Sequence, residues 1–530
     1  MTDVDALARE WFVDPSSASK SDYPPVRRHP NSALQRYTTG NVVRPLVGGE
    51  HIVQYWGQQV ADLVNGQSAA PTDSTLLHAG WTIEDIETTR GDAATKTKTL
   101  LSDAKQAGVE TYLMFSQHAT NMDAIIEYVY DLDSDTAAVD TRYPSAGSAH
   151  AKFTVFKTPS AHTALVGSAD IWIAARNVNH EVSVELEGPA VQEIQSVFER
   201  RWNDPTRDDA FGNLKYPLQH TLWRNIYQDV YLSQPPPTLQ TPAAKATASG
   251  SVAVQVLETY GISPFLSYSW ADWDEGEFTI WAAYLKAIKR AEQYVFVEDQ
   301  FFIPSGYPPA CEKPPRDEVN NYPMQATYDY TDVEREASLF YQLGERLADG
   351  VDVIVMTNAR IGGSSILGGA PGPLDAVGRH LRSLGSYYLK DKASKRGSGD
   401  FMIGVPASQA VHAKLLVVDD EYAAVGSANV NRRSHTNDTE IHVGLVDADG
   451  ELVPDLRARV WAEHMQLADH SSLLDIATAL PRFKQALNDD EGDLQRVPPA
   501  SIRADPGPPP VEIMSRLSVY DPEAGPAVPE

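Results

Sequence analysis

One ordered set of motifs occurs twice in this sequence, and this repeat restricts the fold more than any other feature. The second copy starts with HAK at residues 412–414, continues through the apolar run 415–418 and ends with GSAN at 426–429. The first copy starts with HAK at residues 150–152 and ends with GSAD at 167–170. The same motifs in the same order indicate two copies of one structural unit.

Each copy predicts a β-hairpin with its polar residues gathered at one end. The short apolar runs after each HAK are typical of buried strands. Since side chains alternate along a strand, the histidine and the lysine two positions later leave from the same face. The returning strand ends at the GSA motif, which brings two small polar residues to the same end. An imidazole, an ammonium group and small polar side chains together suit an anionic oxygen, most obviously that of a phosphate.

An acidic residue follows each hairpin at a matching place. Glu181 precedes the apolar stretch VSVEL, and Glu440 precedes IHVGLV. A histidine that attacks or transfers a proton needs its second ring nitrogen anchored, because the tautomer depends on that hydrogen bond. The two glutamates are therefore candidate anchors, although each is alternatively a solvated acid at a strand edge.

The predicted helices and strands alternate along the chain, which is typical of an α/β fold. We expect two tandem α/β/α sandwich units with mixed β-sheets, related by a pseudo-two-fold axis, with the active site at their interface. Helices are predicted at 51–65, 97–107, 121–130, 278–291, 336–348 and 373–384, and strands at 74–79, 110–115, 252–257, 294–298 and 351–356.

The chain of 530 residues is long enough for two domains. We expect an irregular N-terminal arm at 1–34, a first α/β domain at 35–232, a linker at 233–250, a second α/β domain at 251–490 and a Pro-rich flexible tail at 491–530. The linker assignment depends on the composition SQPPPTLQTPAAKATASG.

Composition excludes several classes of protein. The formal charge of −28 argues against nucleic acid as a partner, because phosphate neutralisation requires clustered Lys and Arg. The single cysteine, Cys311, excludes an internal disulfide, and no zinc-type ligand spacing is present. The sequence has no secretory signal and no run of 18 apolar residues, so we expect a cytoplasmic protein without a transmembrane segment. We also expect the protein to be a monomer and to contact membranes only at their surface.

The second copy resembles the HxKxxxxD…GSxN signature of the phospholipase D superfamily, through His412, Lys414, Asp419, Ser427 and Asn429. Stretches near Gly40, at 185–191 and in the segment that ends at Pro304 are also similar to the phospholipase D enzymes. The resemblance covers roughly residues 35 to 470. The first copy departs from the signature in two places, since Lys157 stands where aspartate is expected and Asp170 where asparagine is expected.

The resemblance implies a covalent mechanism at a site shared by both halves. One histidine would attack phosphorus, and the other would protonate the leaving alcohol and then activate water or an acceptor alcohol. In the family the first-half histidine is usually the nucleophile, but the symmetry of this sequence leaves the assignment open. The implied catalytic residues are His150, Lys152, His412, Lys414, Asp419, Glu181 and Glu440, and the implied phosphate-binding residues are Ser168, Ser427 and Asn429. Because two lysines supply the positive charge, no metal and no other cofactor is expected.

The expected function is hydrolysis of the head-group phosphodiester of glycerophospholipids at a membrane or micelle surface. The products would be phosphatidic acid and an alcohol, and transfer of the phosphatidyl group to another alcohol is a related outcome. Alternatives are another lipid phosphodiester transferase or synthase of the superfamily, or a catalytically impaired phospholipid-binding protein, which Lys157 and Asp170 motivate. The aromatic, Pro-rich stretch at 307–330 is the candidate for membrane contact.

Overall fold

The structure is a computed structural model in which one large sheet carries both halves of the chain. It describes residues 3–15, 32, 34–65, 73–116, 137–140, 148–203, 239, 250–260, 277–304, 338–359, 373–436, 438–498 and 501–502. The predicted helix at 121–130 and the aromatic stretch at 307–330 lie outside the described residues. Of the predicted linker at 233–250, residues 239 and 250 are described.

The strands mostly follow the short apolar runs of the sequence. They are β1 Thr38–Val47, β2 Thr75–Gly80, β3 Glu110–Ser116, β4 Ala137–Asp140, β5 Phe153–Lys157, β6 His162–Gly167, β7 Asn179–His180, β8 Val182–Glu187, β9 Val252–Tyr260, β10 Glu277–Phe278, β11 Tyr294–Asp299, β12 Asp352–Met356, β13 Phe401–Pro406, β14 Ala410–Val411, β15 Lys414–Val418, β16 Tyr422–Gly426, β17 Thr439–Asp447 and β18 Leu494–Arg496.

The helices lie between these strands and cover the sheet. They are α1 Val4–Trp11, α2 Gly49–Asn65, α3 Thr97–Gln106, α4 Ile173–Asn177, α5 Pro189–Trp202, α6 Thr279–Arg290, α7 Leu339–Ala348, α8 Pro373–Ala393, α9 Arg432–Thr436, α10 Leu452–His464 and α11 Ile476–Asn488. None of the helices in the described ranges is long and apolar enough to cross a bilayer.

The 16-stranded sheet repeats one strand order on either side of a central seam. From the seam outwards the first half runs β1-β8-β6-β5-β2-β3-β4, and the second half runs β9-β17-β16-β15-β11-β12-β13, with β18 at the edge. The outer strands of each half pair in parallel, and the strands nearer the seam pair in antiparallel fashion. The mixed α/β class and the internal duplication are therefore confirmed.

The two halves share one sheet, which differs from the separate sheets that the sequence predicts. Strand β1 pairs with β9 in antiparallel fashion, with Thr38 opposite Val254 and Asn41 opposite Val252. One hydrophobic core spans this seam, and it contains Val184 and Val191 of the first half together with residues of the second half such as Val443 and Trp461. The seam is closed both by hydrogen bonds in the sheet and by apolar packing beside it.

Both chain ends have more regular structure than their composition indicates. The arm predicted to be irregular contains α1, whose N-terminus is capped by Asp3, and Trp11 stacks on Tyr422 with ring centroids 5.5 Å apart. The predicted flexible tail contains β18, which pairs with β13. Both segments carry apolar residues that the sheet and its helices bury, which outweighs the polar and Pro-rich context around them.

The glycine of each GSA motif allows two strands to approach closely. A Cβ at Gly426 would lie 2.2 Å from the Ile441 carbonyl oxygen, and a Cβ at Gly167 would lie 2.0 Å from Ser183 Oγ. Any larger residue must push β16 away from β17, or β6 away from β8.

We predict that Gly426→Ala lowers the free energy of unfolding by about 1–3 kcal/mol, because the added methyl overpacks a backbone contact. Urea unfolding measures this change. Gly444→Ala in the paired strand is the matched control, since its Cβ would meet only side chains, the nearest being Tyr422 Oη at 3.0 Å. Equal losses in the two variants would contradict the proposed contact.

Candidate active site

Both HAK motifs lie at the start of the predicted hairpins. β5 and β6 form the first hairpin and β15 and β16 the second, each with antiparallel pairing. His150 and His412 precede the strands, and 9% and 7% of their surfaces remain exposed. Each imidazole is therefore enclosed by protein but still reachable by a substrate.

The histidine of each HAK motif is anchored by the glutamate of the other half. Nδ1 of His150 lies 3.0 Å from the carboxylate of Glu440, and Nδ1 of His412 lies 2.8 Å from that of Glu181. Both glutamate side chains are fully buried. The predicted anchoring role agrees with these contacts, and the exchange between halves is a feature that the sequence alone did not indicate. With Nδ1 engaged, Nε2 of each histidine is the nitrogen available for chemistry.

The exchange arises from backbone pairing across the interface. The His150 N–H donates to the Thr439 carbonyl at 2.9 Å, and the His412 N–H donates to the His180 carbonyl at 2.9 Å. Each acceptor residue immediately precedes the anchoring glutamate. The short strands β7 and β14 extend the second of these contacts as a parallel pair. The two histidines are thus held by the same backbone hydrogen bond, formed once in each direction between the halves.

The two serines support the glutamates, which differs from the predicted phosphate-binding role. Ser168 Oγ donates to Glu181 at 2.5 Å, and Ser427 Oγ donates to Glu440 at 2.6 Å. Both serines are fully buried. Since each hydroxyl proton is used in its own half, each half builds a serine–glutamate pair and presents it to the histidine of the other half.

The two lysines are buried next to the histidines. Lys152 Nζ donates to the His150 carbonyl at 3.0 Å, and Lys414 Nζ donates to the His412 carbonyl and to Gln300 Oε1, the latter at 3.3 Å. Burial lowers the pKa of Lys414 to about 8, with the negative charge of Glu181 opposing that shift. Each ammonium group is therefore held against the backbone of the histidine of its own motif.

The pKa directions distinguish the two histidine–glutamate pairs. Burial and the charge of Lys152 hold the pKa of His150 well below its usual value, and burial raises the pKa of Glu440. Burial also lowers the pKa of His412, but Glu181 opposes the shift. Burial alone would raise the pKa of Glu181, yet His412 outweighs it and brings the pKa to about 2. The His412–Glu181 pair is therefore the one that better accommodates a protonated imidazole.

The residues after the two GSA motifs differ between the halves. Asn429 is almost fully buried, and its Oδ1 has no hydrogen-bond donor among the described residues. Asp170 accepts hydrogen bonds from the backbone N–H groups of Trp81 and Thr82 and lies 3.5 Å from Lys152 Nζ. Because an amide oxygen only accepts hydrogen bonds, the free Oδ1 of Asn429 could not bind a phosphate oxygen, and the predicted phosphate-binding role of Asn429 stays a prediction for its NH₂ group. Asp170 is already engaged with a lysine of the site.

Asp419 does not lie with the other predicted catalytic residues. It follows the last residue of β15, at the opposite end of that strand from Lys414. Its carboxylate accepts the backbone N–H groups of Glu292, Gln293 and Tyr294 at 2.7–2.9 Å. These bonds fix the entry into β11, so the predicted catalytic role of Asp419 is corrected to a structural one.

Lys157 occupies the matching end of β5, far along the strand from His150. Its ammonium group donates to Gln195 Oε1 in α5 at 2.9 Å. The departure from the family pattern at this position therefore changes a contact between β5 and α5. It does not affect the end of the hairpin that carries His150 and Lys152.

We predict that Asp419→Asn lowers the free energy of unfolding by about 1–3 kcal/mol, because buried N–H groups lose a charged acceptor. Asparagine tolerates the positive φ of 54° at this position, so backbone strain is not added. Urea unfolding and turnover of the folded fraction are measured together. Lys157→Asp is the paired variant, and we expect it to give no increase in turnover. A several-fold increase in turnover would indicate that residue 157 does contribute to the site.

Two buried carboxylates bond to the loops around the site, and the sequence did not predict these contacts. Asp299 accepts the N–H groups of Phe301, Phe302 and Val430 at 2.7–2.8 Å. Asp438 accepts the Ser148 N–H at 2.7 Å and pairs with Arg433 at 2.9 Å. Arg433, close after the second GSA motif, is therefore part of an ion pair. Both acids lie beside recognised motifs, but nothing in their spacing predicts these partners.

A buried cluster of two histidines and one glutamate joins the halves beside His412. Glu298 lies between His180 and His464, with Oε1 2.5 Å from His180 Nδ1 and Oε2 3.2 Å from His464 Nε2, and the rings stack 4.3 Å apart. These are ligand types of a divalent metal site. Two donors bound to one zinc ion at about 2.0 Å lie roughly 3.3 Å apart, so the 2.5 Å contact fits an ion pair better. The cluster therefore acts as a charged contact across the interface.

This ion pair makes stability depend on pH. Burial alone would lower the pKa of His180, but Glu298 outweighs it and raises the pKa to about 9. A raised pKa stabilises the fold fully below the unfolded value of about 6.5, and this contribution is lost as pH rises through about 9.

We predict that the free energy of unfolding falls between pH 6.5 and 9, with a contribution from His180 of at most about 1.4 kcal/mol per pH unit. Glu298→Gln should flatten this part of the curve, which urea unfolding at several pH values measures. Glu463→Gln is the control, because that carboxylate lies 3.7 Å from His180 Nε2 and is partly exposed. An unchanged slope in Glu298→Gln would refute the assignment.

Two family models match this chain on either side of residue 320. A model described as "Phospholipase D" matches residues 116–313, and one described as "Cardiolipin synthase, PLD-like domain" matches residues 326–461. The two matched segments contain the first and second HAK hairpins respectively. The chain belongs to the phospholipase D superfamily.

Relatives from plants and a mammal carry the same family name. Phospholipase D beta 2 of Arabidopsis thaliana is 24% identical over 55% of this chain and 36% of its own length. Phospholipase D alpha 1 of the same plant is 22% identical over 68% of this chain and 48% of its own length. Phospholipase D1 of Cricetulus griseus is 24% identical over 52% of this chain and 25% of its own length. The matches thus span half or less of these relatives.

A phosphatidylserine synthase from Haemophilus influenzae is a structural neighbour. It is 12% identical and covers 84% of this chain and 92% of its own chain, with a TM-score of 0.48. A score below 0.5 establishes no functional correspondence.

Proposed function

We propose that this protein is a phospholipase D-type phosphodiesterase that acts on glycerophospholipids. The observation that carries the proposal is the pair of reciprocal contacts in which each half anchors the histidine of the other. Two imidazoles with engaged Nδ1 atoms and two buried lysines supply what phosphodiester cleavage through a covalent intermediate requires. The names of the relatives favour a phospholipid substrate within the superfamily.

The first step forms a bond between one imidazole Nε2 and phosphorus. The phosphorus–oxygen bond to the head-group alcohol breaks, and the other imidazolium gives its proton to the departing oxygen. Lys152 and Lys414 stabilise the charge on the non-bridging oxygens during this exchange. In the second step the now neutral imidazole takes a proton from water, whose oxygen displaces the first histidine from phosphorus. The products are phosphatidic acid and the free alcohol.

We assign the nucleophile to His150 and the acid to His412. Burial and Lys152 keep His150 neutral, and a neutral imidazole is the nucleophilic form. Ionised Glu181 favours a proton on His412, because an adjacent negative charge stabilises the imidazolium. The support for this assignment is the contact of His150 with Lys152 and the opposite directions of the two glutamate pKa shifts, raised at Glu440 and lowered at Glu181.

Transfer to an acceptor alcohol is the second candidate activity. An alcohol that replaces water in the second step gives a new phosphatidyl ester by the same proton transfers, and one matched model bears the name of a synthase. The alternative of an impaired binding protein has less support, since Lys157 is remote from the histidines and Asp170 leaves both histidine–glutamate pairs in place. We further propose that residues 35–232 and 251–490 act as one catalytic unit.

The test is release of choline from phosphatidylcholine vesicles in the presence of ethanol. We predict that His150→Ala and His412→Ala each lower the rate by a factor of about 10²–10⁴ or more, because each removes a separate proton-transfer or nucleophilic role. Phosphatidylethanol is measured in the same reactions, since its formation reports transfer. His51→Ala, at an exposed histidine of α2, is the matched control and should retain wild-type turnover.

The covalent step has its own readout. Acid-labile labelling of the enzyme from phosphorus-labelled lipid should be present in His412→Ala and absent in His150→Ala. Labelling in the opposite variant would reverse the assignment, and no turnover of any phosphodiester by the wild type would refute the proposed activity.

A further inference from the structure

The residue after the GSA motif differs in charge between the two halves of the site. Ser168 and Ser427, Glu181 and Glu440, and the two lysines all match between the halves. After the two GSA motifs the match ends, because Asp170 is a carboxylate and Asn429 is a neutral amide. The difference lies within the site itself, since Asp170 contacts a lysine that the proposed reaction uses.

Asp170 is held in place by two backbone N–H groups and by a lysine of the site. Its Oδ1 accepts the Trp81 N–H at 2.7 Å and the Thr82 N–H at 3.2 Å, and its other oxygen lies 3.5 Å from Lys152 Nζ. Only 1% of the aspartate side chain and 2% of the lysine side chain are exposed. With so little water near the pair, the carboxylate offsets much of the positive field of Lys152.

Lys414 has its acid from a different element of its own half, since the buried Asp299 of β11 lies opposite it in the sheet and acts to raise the pKa of the lysine. Its ammonium group donates to the neutral oxygens of Gln300 and of the His412 backbone. Each lysine thus has one buried aspartate nearby, and Asp170 is the one beside Lys152. Relative to a neutral amide at its position, Asp170 makes the net charge around the lysines more negative by one.

The charge of the ligand decides how much this matters. A phosphodiester has one negative charge, whereas a phosphomonoester carries about −1.5 to −2 near pH 7, because its second pKa is about 6. Removing one positive charge weakens binding of a dianion more than binding of a monoanion. A nearby repulsive charge is a general way to discriminate between otherwise similar ligands.

We propose that Asp170 determines specificity by disfavouring phosphomonoester dianions, including the phosphatidic acid product, relative to phosphodiester monoanions. This inference rests on the proposed function for its lipid substrate, but the charge discrimination is a property of the site and holds for any phosphate that binds there. The aspartate also favours product release, since the charge on the product rises once the diester is cleaved.

The test compares inorganic phosphate with a diester in wild type and Asp170→Asn. Inorganic phosphate binding is measured by calorimetry at pH 5, where the monoanion dominates, and at pH 8, where the dianion dominates. We expect Asp170→Asn to tighten phosphate binding about tenfold at pH 8 and about threefold or less at pH 5. The reason is that the single negative charge of Asp170 repels a phosphate with two negative charges about twice as strongly as one with a single negative charge. The KM for phosphatidylcholine should change by less than the inhibition constant of phosphatidic acid.

The second half provides the mirror control. Asn429→Asp adds a carboxylate at the matching position, and we expect it to weaken phosphate binding at pH 8 more than at pH 5. Equal changes at both pH values, or none, would overturn the proposal. If Asp170→Asn does not fold, which circular dichroism detects, Asn429→Asp decides the matter alone, and an unchanged dianion affinity would then overturn the proposal.

The calorimetric measurement separates this inference from the proposed function. If the wild type turns over no lipid but the variants show the predicted changes in phosphate affinity, the proposed activity is refuted and the charge discrimination is supported. If the wild type turns over lipid but phosphate affinity changes equally at both pH values, the activity is supported and the charge discrimination is refuted.

Discussion

The site depends on a reciprocal exchange of buried glutamates between the two halves. Glu440 fixes His150, Glu181 fixes His412, and each glutamate is itself held by a serine of its own half. Because the backbone before each histidine also pairs with the residue before the opposite glutamate, the halves cannot shift without disturbing both imidazoles together. The interface and the active site are therefore the same structure.

The duplication is close in geometry but not in charge. Strand order, hairpins and serine–glutamate pairs repeat, whereas the His180–Glu298–His464 cluster and the Asp170–Lys152 pair each occur on one side. A symmetric site would give two equivalent histidines, yet the reaction requires one to be neutral and the other protonated. Single-sided charges of this kind are what allow a duplicated fold to perform two different chemical roles.

The sequence predicted the α/β class, both hairpins and most strands, because short apolar runs and alternating helices are local signals. It also singled out the two histidines, lysines and glutamates as candidate site residues, since the repeat aligned them, and the structure brings these residues together. It did not predict that β1 and β9 join two sheets into one, because pairing between distant strands has no local signal. The contacts of Asp419 with the backbone before β11, and of the two serines with the glutamates, were not predicted for a related reason, because a motif shows which residues occur together and not which neighbour each one contacts.

The shared sheet has a consequence for how such a chain becomes active during synthesis. The first half leaves the ribosome with His150 and Lys152 in place, but its histidine still lacks the glutamate that orients it, and Glu181 has no histidine to hold. Domains generally fold from the N-terminus as they emerge, so a folded first half would exist for some time without a working site. The anchor of His150 is thereby missing until β17 and Glu440 have been made, and a chain truncated before β17 has only half of the reciprocal contacts.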